Sequence, residues 1–212
     1  MVRRVHPLLR AFLHAADGRF PPVDGGVTHV EPPGRVCAVV AFTGHTFVMA
    51  PTPIWPPDGV DVPPPDGFGG SHDPRYISWL ARAAHEIGVL DATLVARSTG
   101  VGSASLAPTD RHDDHHRVRH ARSIRDDVRV YGDERGFVTL ATGLVGRLEF
   151  GVEAAPDGHG RGWGRSLVAD ALGLVPEGEP VFAAVSPGNA RSIRAFLAVG
   201  FVPIGSEQLW VV

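Results

Sequence analysis

Residues 147–175 read as a strand, a glycine-rich loop and a helix in direct succession, and this unit constrains the fold more than any other stretch. Over Arg147–Glu153, Leu148, Phe150 and Val152 fall on one face and Arg147, Glu149 and Glu153 on the other, the two-residue period of a strand. The loop Pro156–Gly164 (PDGHGRGWG) follows, and then Leu167, Val168, Ala171, Leu172 and Val175 make a helical stripe. A glycine loop at a helix start gathers unpaired backbone amides and the positive end of the helix dipole, which suits it to a phosphate or pyrophosphate. Glycines are needed there because a Cβ would block the ligand oxygens. Arg161 and Arg165 add positive charge at the rim. Val181–Val185, the next strand, is continuously apolar, as in a strand covered on both faces. The chain is therefore of α/β (α+β) class.

The rest of the chain is organised around one interruption. Residues 51–70 (PTPIWPPDGVDVPPPDGFGG) hold seven prolines and four glycines, which excludes regular helix or central strand and leaves a loop or cover strap. Before it, Pro7–Ala16 is predicted helical, and VCAVVAF and TFVMA form a hairpin turning at Thr43-Gly44-His45. After it, Asp73-Pro74 opens a helix with Ile77, Leu80, Ala81, Ala84 and Ile87 on one face, ended by Gly88, and DATLVA at 91–96 reads as a strand. Residues 99–114 are loop-like; Val118, Ala121, Ile124 and Arg125 suggest a short helix. Val128–Tyr131 and Phe137–Ala141 are strands around a turn; Asn189–Val199 is a helix with Ile193, Phe196 and Leu197 inward, and strand-like stretches flank Gly205-Ser206. This divides the chain into an N-terminal lobe with hairpin and strap (1–90) and a second domain (91–212).

Composition removes whole classes of chemistry. All 20 basic residues are arginine, so Schiff-base catalysis and a lysine-bearing phosphate loop are excluded. The single cysteine, Cys37, excludes an internal disulfide and a multi-cysteine zinc site, and its apolar setting marks it as a small buried hydrophobe. A net charge of −3 gives no overall pull toward nucleic acid or an anionic membrane. The stretch Leu8–Ala16, broken by Arg10 and His14, is too short for a signal sequence, no apolar run approaches spanning length, and a cytoplasmic protein is expected. A dinucleotide fold wants an acid at the end of the next strand, and VFAAV runs instead into Ser186-Pro187-Gly188-Asn189.

Two motifs then point one way. His159-Gly160-Arg161-Gly162-Trp163-Gly164 resembles the Q/R-x-x-G-x-G/A loop of the GNAT superfamily of acyl-CoA-dependent N-acetyltransferases, with histidine in the first slot. Asn189-Ala190-Arg191-Ser192-Ile193-Arg194-Ala195-Phe196-Leu197-Ala198-Val199-Gly200-Phe201 is similar to that family's N-x-x-S-x-R-x-Y-x-x-x-G-F, with phenylalanine for tyrosine. The resemblance covers about residues 128–212. It implies a mixed, mostly antiparallel twisted sheet flanked by helices, with the N-terminal half as an extension or degenerate companion lobe.

It also implies site roles. The pyrophosphate of acetyl-CoA, the acyl donor, would sit on His159, Gly160, Arg161, Gly162, Trp163, Gly164 and Arg165; the pantetheine arm would pair with Val152 and Ala154; Asn189, Ser192 and Phe196 would complete the cofactor contacts. Attack on a thioester requires a neutral amine, so a base must take its proton, and Glu149 and Glu153 are the candidates, each equally readable as a solvated strand glutamate. Phe196 cannot supply the family's phenolic acid, and Tyr131 and Tyr76 are the only tyrosines left. The expected activity is acetyl transfer from acetyl-CoA to a primary amine of a small molecule or peptide; the alternative is an inactive CoA-binding or regulatory module. No metal, nucleic-acid or membrane partner is expected, and a homodimer stays open. His112, Asp113, Asp114, His115, His116 and His120 read as a solvated loop in preference to a metal site. Trp55, Phe68, Trp79 and Trp163 read as core or loop anchors in preference to an acceptor pocket.

Overall fold

A computed structural model of the chain describes residues 5–51, 53–84, 86–102, 106–158 and 160–212. The elements run α1 (Pro7–Ala16), β1 (Val27–Val30), β2 (Val36–Phe42), β3 (His45–Met49), α2 (Pro74–Leu80), β4 (Asp91–Arg97), β5 (Ala107–Pro108), α3 (His116–Ile124), β6 (Asp126–Asp133), β7 (Gly136–Thr142), β8 (Leu148–Ala154), α4 (Trp163–Leu172), β9 (Pro180–Val185), α5 (Ala190–Leu197) and β10 (Val202–Val211). They fall into two compact units, one of residues 1–92 with 204–212 and one of residues 93–203.

In the first unit the strand order is β1-β3-β2-β10. β1 runs parallel to β3, and the β2–β3 and β2–β10 pairs are antiparallel. Pro7 occupies the first turn of α1 and the His6 ring caps it, accepting from the Leu8 amide at 3.2 Å. Leu8, Ala11, Phe12 and Ala15 then share the buried stripe. Gly44 turns the hairpin at φ +71°, where a Cβ would also run into Val23. Cys37, Val39, Val48, Ile54, Tyr76, Ile77 and Trp210 form a shared core, and burial pushes the Cys37 thiol up to about 11.

The proline-rich strap has no helix or strand among its described residues before Gly70. Side chains hold it in place of a ladder, since its prolines donate nothing. The Asp66 carboxylate accepts from the Phe68 and Gly70 amides at 2.7 and 2.9 Å, its carbonyl accepts from the hydroxyls of Ser71 and Thr46, and the Tyr76 hydroxyl donates to the Ile54 carbonyl at 2.8 Å.

The second unit has the strand order β4-β9-β8-β7-β6-β5, antiparallel from β8 through β5, with β8 and β9 parallel. A mixed, mostly antiparallel sheet flanked by helices is thus the architecture. Leu148, Phe150 and Val152 on one face of β8 pack with Leu167, Val168, Ala171 and Leu172 of α4 and Phe196 of α5. On the other face Val118 of α3 packs with Val130 and Phe137. Among the described residues no helix is long and apolar enough to cross a membrane.

Three expectations are corrected. α2 ends at Leu80, because Ile87 bridges Trp210 and the Gly88 amide donates to the Leu209 carbonyl at 2.8 Å, so that segment lies along β10. Leu197 is 44% exposed, while Phe196 beside it takes the buried position. The face of β8 that carries Arg147 and Glu149 is not solvated at that end: both residues are buried.

Candidate functional site

β8 and β9 are paired at only two positions, Glu149↔Phe182 and Phe150↔Ala183. β8 continues to Ala154, still paired with β7 along its full length (Ala154↔Gly136). Past Phe150 its β9-facing edge therefore has no ladder, and Gly151–Ala154 present backbone groups to the gap, as an extended ligand chain requires. Val152 and Ala154 lie on this stretch.

The chain then enters the loop. Gly160 and Gly162 have φ of +76° and +75°, the left-handed region, with open space where a Cβ would stand. Gly162 is the N-cap of α4, and among the described residues no side chain caps that helix. The Ser166 amide closes the first helical turn on the Gly162 carbonyl at 3.0 Å, so the amides of Trp163, Gly164 and Arg165 precede the ladder. Arg161 lies over the Trp163 ring, 5.7 Å from its centroid. His159 lies outside the described residues. The helix is pinned by Arg135, which joins Asp133 at 2.5 Å and Asp170 of α4 at 2.7 Å, while the Arg135 carbonyl accepts from the Ala155 amide at 2.8 Å. This donor-rich, uncapped helix start, open where glycines replace side chains, fits a pyrophosphate.

Asn189 is the N-cap of α5, its side-chain oxygen accepting from the Ser192 amide at 3.1 Å. Phe196 is buried edge-to-face against Phe201, with ring centroids 4.9 Å apart. Its ring belongs to the core. Tyr76 is buried in the first unit with its hydroxyl pushed well up by burial, and Tyr131 lines an open groove with Pro108, Asp110 and Arg129. Trp55 and Phe68 are exposed, and Trp79 packs beside Tyr76.

The two candidate bases differ sharply. Glu149 is 2% exposed. Its Oε1 accepts from Arg147 Nε at 2.7 Å and the Leu144 amide at 3.0 Å, and its Oε2 from Arg125 Nε at 2.6 Å. Burial alone would raise its pKa, but the Arg147 and Arg125 charges outweigh it and hold the carboxyl down to about 2. So weak a base, enclosed by donors, is an anchor: it ties β8 to α3's end and to the 144–146 turn, where Val145 sits at φ +53°. Gly143 permits this, because a Cβ there would overlap the carboxylate.

Glu153 lies beyond the last β8–β9 pair, with its side chain 36% exposed and bridged by Arg117 of α3. Its cross-strand neighbour Phe137 carries the His112 ring stacked at 4.5 Å and the His115 ring at 4.9 Å, and His115 and His116 are 4.3 Å apart. His115 caps α3 by accepting from the Arg117 amide at 3.2 Å. Burial, then the His116 charge, pushes its pKa below the usual imidazole value against the opposing pull of Glu153. Among the described residues no histidine, cysteine and carboxylate set gathers closely enough to hold a metal. The Arg117–Glu153 bridge spans 36 positions of sequence, and no local pattern announces it.

No protein-family model matches the chain, and no curated protein matches it in sequence. In fold it is similar to a protein assigned to the GNAT family of acetyltransferases from Novosphingobium aromaticivorans, at 15% identity and TM-score 0.44, over 60% of this chain and 65% of that one. It is also similar to a functionally unknown conserved protein from Staphylococcus epidermidis, at 14% identity and TM-score 0.42, over 65% and 66%. A third such structure is a GCN5-related N-acetyltransferase from Kribbella flavida, at 14% identity and TM-score 0.41, over 65% and 64%. The matched part spans less than two thirds of the length of each of these chains.

Proposed function

We propose that the chain transfers an acetyl group from acetyl-CoA to a primary amine. The observation that carries this reading is the end of β8–β9 pairing after Phe150↔Ala183, on a strand that runs directly into an uncapped glycine loop. The amides of Gly160 and of Gly162 to Arg165 would hold the pyrophosphate, the Arg161 amide being taken by the Gly158 carbonyl, with the Arg161 and Arg165 side chains beside it, and the open edge at Val152 and Ala154 would take the pantetheine arm. Asn189, whose carboxamide nitrogen is not part of its cap, would donate to that arm. Acetyl-CoA supplies the activated thioester.

Glu153 is the base of this proposal. It is partly exposed, lies past the last pairing of β8 with β9, and is not locked in by the buried contacts that occupy Glu149. The new C–N bond replaces the C–S bond, the amine's proton leaves through Glu153, and the departing thiolate takes a proton from water. A thiol pKa near about 8.5 makes that departure tolerable without a phenol at position 196.

The burial of Phe196 favours one other reading, a CoA-binding module without turnover. Thiol release decides between them. Incubating the protein with acetyl-CoA and a panel of primary amines should release free thiol in proportion to amine acetylated. Tight CoA binding with no amine-dependent release from any acceptor would leave the binding module.

A further inference from the structure

Resting on the acyltransferase reading, the geometry also bears on the acceptor that the same site takes. Leu148, Phe150 and Val152 pack with α4, so the glycine loop and its helix belong to that face of β8. With that face covered by α4, the opposite face, which carries Glu149, Gly151 and Glu153, is the one left to an acceptor. Glu149 is closed off by Arg125, Arg147 and the Leu144 amide, and Gly151 has no side chain. Glu153 is the polar group of that face past the last β8–β9 pair, and Arg117 occupies it.

This pair is suited to being opened. The two side chains are 49% and 36% exposed, and ion pairs open to solvent to that extent hold weakly and exchange readily. A ligand that brings both an ammonium and a carboxylate can replace both partners at once, leaving neither charge unsatisfied. An α-amino acid holds those two groups one carbon apart, the spacing of a contact ion pair, and its carboxylate matches the planar guanidinium fork. Of the arginines on α3, Arg122 is paired with Asp113 at 2.7 Å, while Arg117 and Arg119 are the other two. A polyamine that displaced Arg117 from Glu153 would leave that guanidinium without a counter-ion, whereas a carboxylate-bearing amine supplies one.

We infer that the Arg117–Glu153 pair is the acceptor site for an α-amino acid, whose ammonium takes the place of Arg117 on Glu153 and whose carboxylate takes the place of Glu153 on Arg117. Glu153 then receives the ammonium proton, and Arg117 is a positioning residue that sets acceptor specificity.

The test compares alanine, phenylalanine, glutamate and arginine, each with its own carboxamide, alongside spermidine. The carboxamides are the weaker bases, so more of each is neutral at pH 7, and chemistry alone favours them. At least one amino acid is expected to exceed its carboxamide and spermidine at least tenfold in kcat/KM. Arg117→Gln should reduce that preference to near unity, chiefly through KM, with acetyl-CoA affinity unchanged, and Arg117→Lys should restore part of it. Calorimetric titration of the same amino acids, with and without CoA, should give binding to the wild-type protein that Arg117→Gln weakens at least tenfold. Equal or better use of the carboxamides or spermidine, a preference that survives Arg117→Gln, or no binding of any of the four amino acids overturns the inference. Failure of acetyl-CoA to bind overturns the acyltransferase reading instead, and the titrations without CoA still judge the pair.

Discussion

Replacing Glu149 by glutamine is expected to lower the stability of the chain by about 3–5 kcal/mol, the cost of leaving buried arginine charge without its counter-ion. Arg147 is 2% exposed, with its guanidinium 5.4 Å from the Phe182 ring centroid, and Arg125 reaches the same carboxylate from the end of α3. For a chain of this size each kcal/mol shifts the unfolding midpoint by roughly 2–4 °C, so the loss should be about 10 °C. The pH dependence follows from the depressed carboxyl. Because the folded pKa lies near 2 and the ordinary value is 4.5, the stabilisation is fully present above about pH 4.5 and is lost as pH falls toward 2. Wild type and Glu149→Gln should therefore converge in acid, as followed by circular dichroism. A neutral-pH difference below about 1 kcal/mol would contradict the account of Glu149 as an anchor.

Glu153→Gln should leave the fold and acetyl-CoA affinity intact and reduce kcat for amine acetylation by about 10²–10⁴-fold, the usual contribution of a positioned general base. The contrast with Glu149 is the informative part. Both glutamates lie on one face of β8, four residues apart, yet one is enclosed by two guanidiniums and an amide and the other is half-open and bridged by Arg117. Rates should fall through kcat, and raising the pH should recover part of the loss, because more of the amine is then already neutral. A variant with wild-type turnover would move the proton-accepting role to another group.

How much of this was legible beforehand depends on the range of the interaction. The alternation in Leu148–Ala154, the glycine punctuation of 156–164 and the apolar run of β9 are local signals, and the corresponding elements are where the sequence places them. α1 and the β2–β3 hairpin were equally readable, because a proline at the helix start and a glycine at the turn dictate local backbone. The end of α2 was not, because its face pattern runs on to Ile87 while the segment pairs with Trp210, more than 120 residues away. Arg147 and Glu149 read as a polar strand face; Arg125 from the end of α3 and the Leu144 amide complete the contacts that make the burial of Glu149 tolerable. The same limit hid the Arg117–Glu153 bridge.

Thermal unfolding with and without acetyl-CoA tests whether the loop at the head of α4 holds that ligand. At about 100 times its dissociation constant a ligand adds roughly 2.7 kcal/mol, which moves the midpoint by several degrees. Gly162→Glu places a carboxylate and a strained left-handed residue at the N-cap, where φ is +75°. The midpoint of the wild-type protein should rise by several degrees with acetyl-CoA and that of Gly162→Glu should not move, each measured against its own ligand-free value. No rise for the wild-type protein at millimolar acetyl-CoA, or an equal rise in the variant, would contradict that role of the loop.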